Sequence, residues 1–440
     1  MKPLRAALSA VAITVVCVPA ARAGAAPPSA PPQAPTESAQ PGQPNRPVEL
    51  SRGQAVREAW AHNPGLTAAR QQVEQAKARI VEARALPDPS LSAEYDDETG
   101  LLSPGSSPGQ IYELDFDVPF PTKLRLGGKA ATDLYRSAEL DYTQVRQELA
   151  ADTVAAYDAL LVAQRHLEDL EQAKALADDF LAKTKARFDA GTVPEIDVIK
   201  AKVDRAQAET GLIAIQRQLA TSRSALNRLL GRPLASPLEL SDPLAVPPPL
   251  PPLDALIDLA AAHRPDLASL AAQRKAASAS TKLARSYWLP DFSFGLARNT
   301  YQGDSSTFTT VAGISFPLFF WQHQKGQVAE ARHYEEELSA SSRDLEAQVA
   351  LEVRTAFQAA DTARRQAIYL RDQLLPEAQR AYDIASKSYS LGGLSALDLL
   401  DSKRTLLDAE SELADALGAA NDSRADLERA IGTTLPAANS

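Results

Sequence analysis

The chain has 440 residues, with 46 Lys and Arg against 56 Asp and Glu, and a formal net charge of −10. That acidity, without a basic run, excludes a nucleic-acid binder. Its single Met and single Cys are Met1 and Cys17, so the chain beyond them has no disulfides, thiolate metal sites or thioether copper sites.

Residues 1–23 read as a signal peptide. Lys2 and Arg5 give a basic start, an apolar run from Ala6 to Val18 follows, and Ala21-Arg22-Ala23 supplies a small-residue cleavage site. The run is short for a transmembrane helix, which needs ~20 apolar residues; an uncleaved anchor is the other reading. Cys17 follows Val16 rather than the small residue of a lipoprotein signal, which argues against lipidation. Loss of Lys2, Arg5 and Arg22 takes the net charge from −10 to −13. Residues 24–49 are rich in Pro, Gln, Ala and Ser, the composition of a flexible or extended tether.

Ordered structure is expected from about residue 50. Ser51-Arg52-Gly53-Gln54 has capping-box spacing ahead of an Ala-rich helical run to about Leu86. A β-hairpin follows, over about 89–120. Leu91, Ala93 and Tyr95 alternate with Ser92, Glu94 and Asp96; Tyr112, Leu114, Phe116, Val118 and Phe120 alternate with Glu113, Asp115, Asp117 and Pro119. That period of two gives one greasy face and one acidic face. Thr132 to Phe188 is free of Pro and rich in Ala, Leu, Glu, Gln, Lys and Arg. It predicts a helical arm on the order of 90 Å at ~1.5 Å per residue, held by coiled-coil packing. A tip turn at 189–194 contains Gly191 and Thr192, and a second helix returns to Gly231. The Pro-rich stretch 232–252, including Pro247-Pro248-Pro249, is a linker or small appended layer and not a continuous helix.

The pattern is then written again. Gly392 follows Gly191 by 201 positions, and the same offset relates Tyr389 to Phe188, Asp398 to Asp197, Leu427 to Leu226 and Gly432 to Gly231. One supersecondary unit is therefore duplicated, over 50–231 and 253–440. The second copy predicts a helix to about Trp288, a hairpin over about 290–318 and a long helix from Val328 to Tyr389 with one internal proline, Pro376. A tip turn at 390–395 holding Gly392 and Gly393 and a return helix complete it.

Aromatics including Phe120, Trp288, Phe320 and Trp321 gather at one end of the strands, as they do in a lipid–water girdle. Four strands cannot close a barrel, so several copies must cooperate if the greasy face meets lipid and Glu94, Asp96, Glu113, Asp115 and Asp117 line a wet lumen. A negative lumen favours cations; the polarity of any aqueous lumen is the plainer account. The competing reading is a pair of soluble hairpins packed on a core.

These features resemble the TolC-type outer membrane factor family, over about residues 50–435. The tip carries the likeness, with Tyr389-x-x-Gly392 followed by Asp398-x-x-Asp401. Pro87-Asp88-Pro89, Gly127-Gly128-Lys129 and Pro317-Leu318-Phe319 running to Gln324-Lys325-Gly326 are similar to the CzcC-like heavy-metal branch, from which Asp88 and Ala130 depart. The resemblance implies a mainly α fold with membrane β: a homotrimer with a twelve-stranded barrel and a periplasmic α-helical tunnel of long coiled-coil hairpins, in the outer membrane. It implies a periplasmic adaptor and an inner membrane RND-type pump as partners, no cofactor, and heavy-metal cations as cargo. An exit duct for drugs or a type I secreted protein stays open, as does, from another class, a soluble periplasmic coiled-coil adaptor or scaffold.

The resemblance further implies a periplasmic gate at Asp398, Asp401 and Tyr389, and adaptor contact at Gly191, Thr192, Gly392 and Gly393. Asp398 and Asp401 share a helix face, whereas the first copy has Asp197 and Lys200. A trimer would stack the second-copy acids in two rings that repel or capture cations; acids at a helix start also favour its dipole. Family members can carry an Arg four residues before the first Asp, where this chain has Leu394. The lock is then weaker, or falls to Arg404 or another residue.

No enzyme motif survives inspection. Gly105-Ser106-Ser107-Pro108-Gly109 matches a nucleophile elbow in letters but sits in a predicted hairpin loop. Gly127-Gly128-Lys129-Ala130 lacks the spacing of a phosphate loop. His62, His166, His263, His323 and His333 lack ligand spacing; His62 and His263 recur at the repeat offset and read as helix-end caps.

Overall fold

Local signals set the first elements of the computed structural model, which describes residues 49–96, 109–301, 306–317 and 319–435. The expected signal peptide, tether and hairpin loops lie outside these, apart from the tether's last residue and the ends of the two loops. Ser51 Oγ accepts from Gln54 N–H at 3.3 Å while Gln54 Oε1 accepts from Ser51 N–H at 2.8 Å. This capping box opens helix α1, Arg52–His62. The helical run does not continue unbroken to Leu86. Asn63 leaves the helix with an extended backbone, and its Oδ1 accepts from Gly65 and Leu66 N–H. Pro64, with no N–H to satisfy, then opens α2, Pro64–Glu82. The second copy breaks at the same place, Arg264-Pro265, between α5, Leu253–His263, and α6, Pro265–Arg285. His62 and His263 each set Nδ1 near the carbonyl four residues back, at 3.3 and 3.0 Å, in keeping with the expected caps.

Strands β2, Ser90–Asp96, and β3, Gly109–Val118, come from the first copy; β5, Asp291–Tyr301, and β6, Thr307–Ser315, come from the second. They form one antiparallel sheet in the order β2-β3-β5-β6. Leu91 lies opposite Leu114, and Phe116 opposite Phe294, while Ser92 lies opposite Glu113 and Asp117 opposite Ser293. The period of two thus survives pairing, with greasy and acidic positions on opposite faces. Both outer edges, on β2 and β6, lack a strand partner among the described residues.

The arms exceed the expected lengths. Helix α3, Pro121–Asp189, runs 69 residues, and α4, Glu195–Leu230, returns from its tip. In the second copy α7, Phe320–Tyr369, gives way to a five-residue π-helical stretch, Leu370–Leu374, and then to α8, Leu375–Ser390. Pro376 sits in the first turn of α8, directly after the π-helical stretch, where the hydrogen-bond ladder has already shifted register. Helix α9, Ala396–Ile431, is the return.

Repeat symmetry also governs the core. Leu226 and Leu427 are each fully buried, as are Leu230 and Ile431, at matching places beneath the helix breaks. Gly231 and Gly432 end α4 and α9 with φ of 72° each. A Cβ on Gly231 would lie 2.6 Å from the His62 carbonyl oxygen, and one on Gly432 3.0 Å from that of His263. The 232–252 stretch contributes β4, Glu239–Leu240, parallel to β1, Glu49–Leu50. Buried Tyr157 on α3 fixes this pair, its hydroxyl donating to the Leu50 carbonyl at 2.7 Å and accepting from Asp242 N–H at 3.2 Å. Arg52 completes the clamp, donating to Asp158 at 2.7 Å.

Candidate functional site: the helical tip and the acidic strand face

Both arms end in the same hydrogen-bonded turn. Gly191 N–H donates to the Phe188 carbonyl at 2.8 Å and Thr192 N–H to that of Arg187 at 2.9 Å; Gly392 and Gly393 repeat this on Tyr389 and Ser388 at 3.0 and 2.9 Å. Such a turn needs a left-handed residue, and Gly191 and Gly392 supply φ of 73° and 82°. All four tip residues are exposed, and neighbouring Leu391 is 87 % exposed.

Tyr389 is instead buried against the other copy. Its hydroxyl lies 3.0 Å from Thr184 Oγ1 and its ring 5.6 Å from that of Phe180. The Arg187 guanidinium covers the ring at 4.5 Å, and Nη1 donates to the Tyr389 carbonyl at 2.8 Å. A second tie lies farther along: buried Lys403 on α9 donates to Asp204 on α4 at 2.7 Å. Sequence reasoning missed Thr184, Arg187, Asp204 and Lys403. A signal existed, because the offset breaks at three of them: Ala385, Ser388 and Thr405 stand where Thr184, Arg187 and Asp204 stand in the first copy.

Asp398 and Asp401 are both exposed near the start of α9. Ser395 caps that helix; its Oγ accepts from Asp398 N–H at 3.2 Å and donates to Asp398 Oδ2 at 2.7 Å. Asp398 is therefore part of the cap, while the Asp401 carboxylate meets no cation among the described residues. In the first copy Lys200 lies 4.0 Å from Asp197. Arg404, considered as a substitute lock, faces Asp408 on its own helix at 3.7 Å.

On the sheet, Glu113 and Asp115 flank Gly295, where a Cβ would lie 2.7 Å from Asp115 Oδ1 and 3.6 Å from Glu113 Oε1. Glu94 pairs across to Ile111, an apolar interruption of the acidic face, and Asp117 to Ser293. The side chain of Asp96 lies outside the described residues. On the opposite face Leu91, Tyr112, Phe116, Phe294, Phe308 and Ile314 are exposed. At the helix-side end Phe120 stacks on Phe292 with centroids 6.2 Å apart, and Trp321 meets Phe319 edge-on at 5.6 Å. Trp288 is exposed there; the side chain of Phe320 lies outside the described residues. Among the described residues no group of His, Cys, Asp or Glu is placed to hold a metal ion, and no helix is long and apolar enough to cross a membrane.

Comparison with known proteins draws these features together. Residues 55–232 and 256–433, one stretch in each copy, match the family described as outer membrane efflux protein. The cobalt-zinc-cadmium resistance protein CzcC of Cupriavidus metallidurans is 25% identical over 386 residues, 85% of this chain and 88% of that protein. The outer membrane protein TolC of Escherichia coli K12 is 26% identical over 412 residues, 86% of this chain and 82% of that one. The solved structure of CusC has the same fold, with a TM-score of 0.74 and 20% identity, covering 88% of this chain and 93% of that one. With family matches in both copies and the TolC-type fold around them, the chain belongs to the outer membrane efflux protein family and is an outer membrane channel rather than an enzyme.

Proposed function

We propose that this protein is the exit duct of a tripartite exporter of heavy-metal cations. The carrying observation is the open sheet: one face greasy and exposed, the other acidic, and both edges unpaired among the described residues. An unpaired edge in lipid leaves N–H and C=O groups unsatisfied, so a membrane sheet must close. Three copies, each giving four strands, make a barrel of twelve with Glu94, Asp96, Glu113, Asp115 and Asp117 toward water. The helical arms then form the periplasmic tunnel. Exposed Gly191, Thr192, Gly392 and Gly393 offer a docking surface to a periplasmic adaptor, behind which an inner membrane RND-type pump supplies the energy.

Cation cargo is supported by the acidic strand face, by exposed Asp398 and Asp401 at the tip, and by the cobalt-zinc-cadmium resistance named for one relative. Rings of carboxylates raise the local cation concentration and oppose anions. Deleting the gene should sensitise cells to cobalt, zinc, cadmium or copper; sensitivity to dyes, detergents or solvents alone would move the cargo to drugs. The protein should also fractionate with outer membranes as a trimer. Recovery as a monomer from the soluble periplasm would leave the scaffold reading in its place.

A further inference from the structure

Two basic clefts lie where the sheet meets the long helices, one in each copy. In the first, Arg84 beyond the end of α2 meets Arg125 and Lys129 of α3 around a cleft of about 560 Å³. In the second, Arg285 at the end of α6 meets Lys325 and Arg332 of α7 around a cleft of about 430 Å³, beside Trp321. Arg285 stands at the repeat offset from Arg84, so the feature belongs to the duplicated unit. Within each long helix the bases lie on one face, at spacings of four and seven.

These cations are not spent on packing. None of the six has a carboxylate within ion-pair distance among the described residues; Arg84 donates only to Thr132 Oγ1, at 3.2 Å. Gly128 lets the Arg84 stem lie against α3, since a Cβ there would come within 2.7 Å of its Cγ. The band runs against the trend of the chain. Across residues 84–90, 118–133, 285–291 and 315–332, seven Lys and Arg face four Asp and Glu, in a chain of net charge −10. Its level is set by the aromatics, because Phe120, Trp288 and Trp321 lie within the same stretches.

We propose that the two clefts bind the phosphate diester headgroups of anionic phospholipids in the leaflet facing the periplasm, fixing the depth of the barrel. The proposal rests on the outer membrane reading. Aromatic rings mark the boundary of the hydrocarbon, and uncompensated bases begin about one helical turn beyond it, at Arg125 and Lys325, the depth of the phosphates, with Lys129 about one turn and Arg332 about two turns farther on. Asp133 is the one acid of the first cleft, and its Oδ2 is buried, without a hydrogen-bond partner among the described residues, so that three basic side chains outnumber a single carboxylate there. Gly127-Gly128-Lys129 and Gln324-Lys325-Gly326 thereby gain a shared role at the membrane surface.

The test measures lipid retained by the detergent-purified full chain, using native mass spectrometry after exposure to equal amounts of phosphatidylglycerol and phosphatidylcholine. Phosphatidylglycerol should be retained on the order of tenfold more, in line with the attraction of several basic residues to an anionic surface. Millimolar inorganic phosphate should not displace it. The triple changes Arg84→Gln, Arg125→Gln, Lys129→Gln and Arg285→Gln, Lys325→Gln, Arg332→Gln should each lower retention several-fold, whereas Arg298→Gln near the other end of the sheet should not. Equal retention of the two lipids by the unmodified chain, loss to free phosphate, or indifference to both triple changes would overturn the proposal. Equal retention by a chain that still inserts into vesicles sinks this inference alone; a chain that inserts into vesicles of neither lipid sinks the membrane reading beneath it.

Discussion

Phe188 and Tyr389 occupy the same place in the two copies, yet Phe188 is 40% exposed and Tyr389 only 2%. Burying a phenol requires a partner for its hydroxyl, and Thr184 provides it. Arg187 adds a cation over the ring and a hydrogen bond to the backbone. Arg187→Ala removes both, a loss of about 1–3 kcal/mol from the tie between the tips. If that tie holds the tunnel shut, conductance of the resting channel in planar bilayers should rise by about tenfold for each 1.4 kcal/mol lost; unchanged conductance would place the lock elsewhere. The left-handed glycines give a second comparison. Gly231→Ala must strain both φ and the contact with the His62 carbonyl, whereas Gly191→Ala has nothing within 4 Å and strains φ alone. Gly231→Ala should lower the denaturation midpoint clearly more than Gly191→Ala, which costs about 1–2 kcal/mol. Equal midpoints would count against the close approach. Residue roles of this kind were only partly legible in the sequence. Asp398 and Asp401 announce themselves by spacing, but Thr184 and Arg187 act on a residue about 200 positions away, and only folding brings them together.

Elements were more legible than contacts. The strands could be read because a two-residue period has few causes, and the register keeps Asp115 and Glu113 on one face. The tip turns could be read because Gly191 and Gly392 recur at one offset. The break inside the first helical run showed only through His62 and His263, read as helix-end caps, since Asn63-Pro64 interrupts an otherwise helical composition by capping rather than by loop residues. Asn63→Ala removes bonds to Gly65 and Leu66 N–H and one donated to the Leu229 carbonyl at 2.9 Å. It should destabilise the helical domain by about 1–2 kcal/mol, seen as a lower midpoint of helical circular dichroism on denaturation. The clamp near the sequence start was also invisible, because β1 and β4 are two residues each. Beside it, burial pushes the Asp422 carboxyl on α9 up to about 6, with Asp158 and Asp426 adding to the shift. Between the ordinary carboxylate range and pH about 6, the folded chain keeps a proton that the unfolded chain has released. Stability should therefore fall as pH rises through that window and stay reduced above it. Asp422→Asn should flatten the slope and raise stability at neutral pH; a slope that persists would assign it to other acids.

At the scale of the whole molecule, a single chain leaves its sheet open. Its greasy strand face is exposed, and its edges on β2 and β6 have no strand partner among the described residues. Composition and period locate the faces, but closure belongs to an assembly and is not encoded in any one segment. The central claim is that alternate strand residues meet lipid and water. It can be tested directly, because the only cysteine is Cys17, which falls in the expected signal peptide. Single changes Tyr112→Cys, Glu113→Cys, Leu114→Cys, Asp115→Cys, Phe116→Cys and Asp117→Cys would be made in a Cys17→Ala background. The reconstituted trimer would then be treated with a membrane-impermeant thiol reagent. The account predicts labelling at 113, 115 and 117 and protection at 112, 114 and 116. Labelling at every position, or protection of the acidic positions, would contradict it.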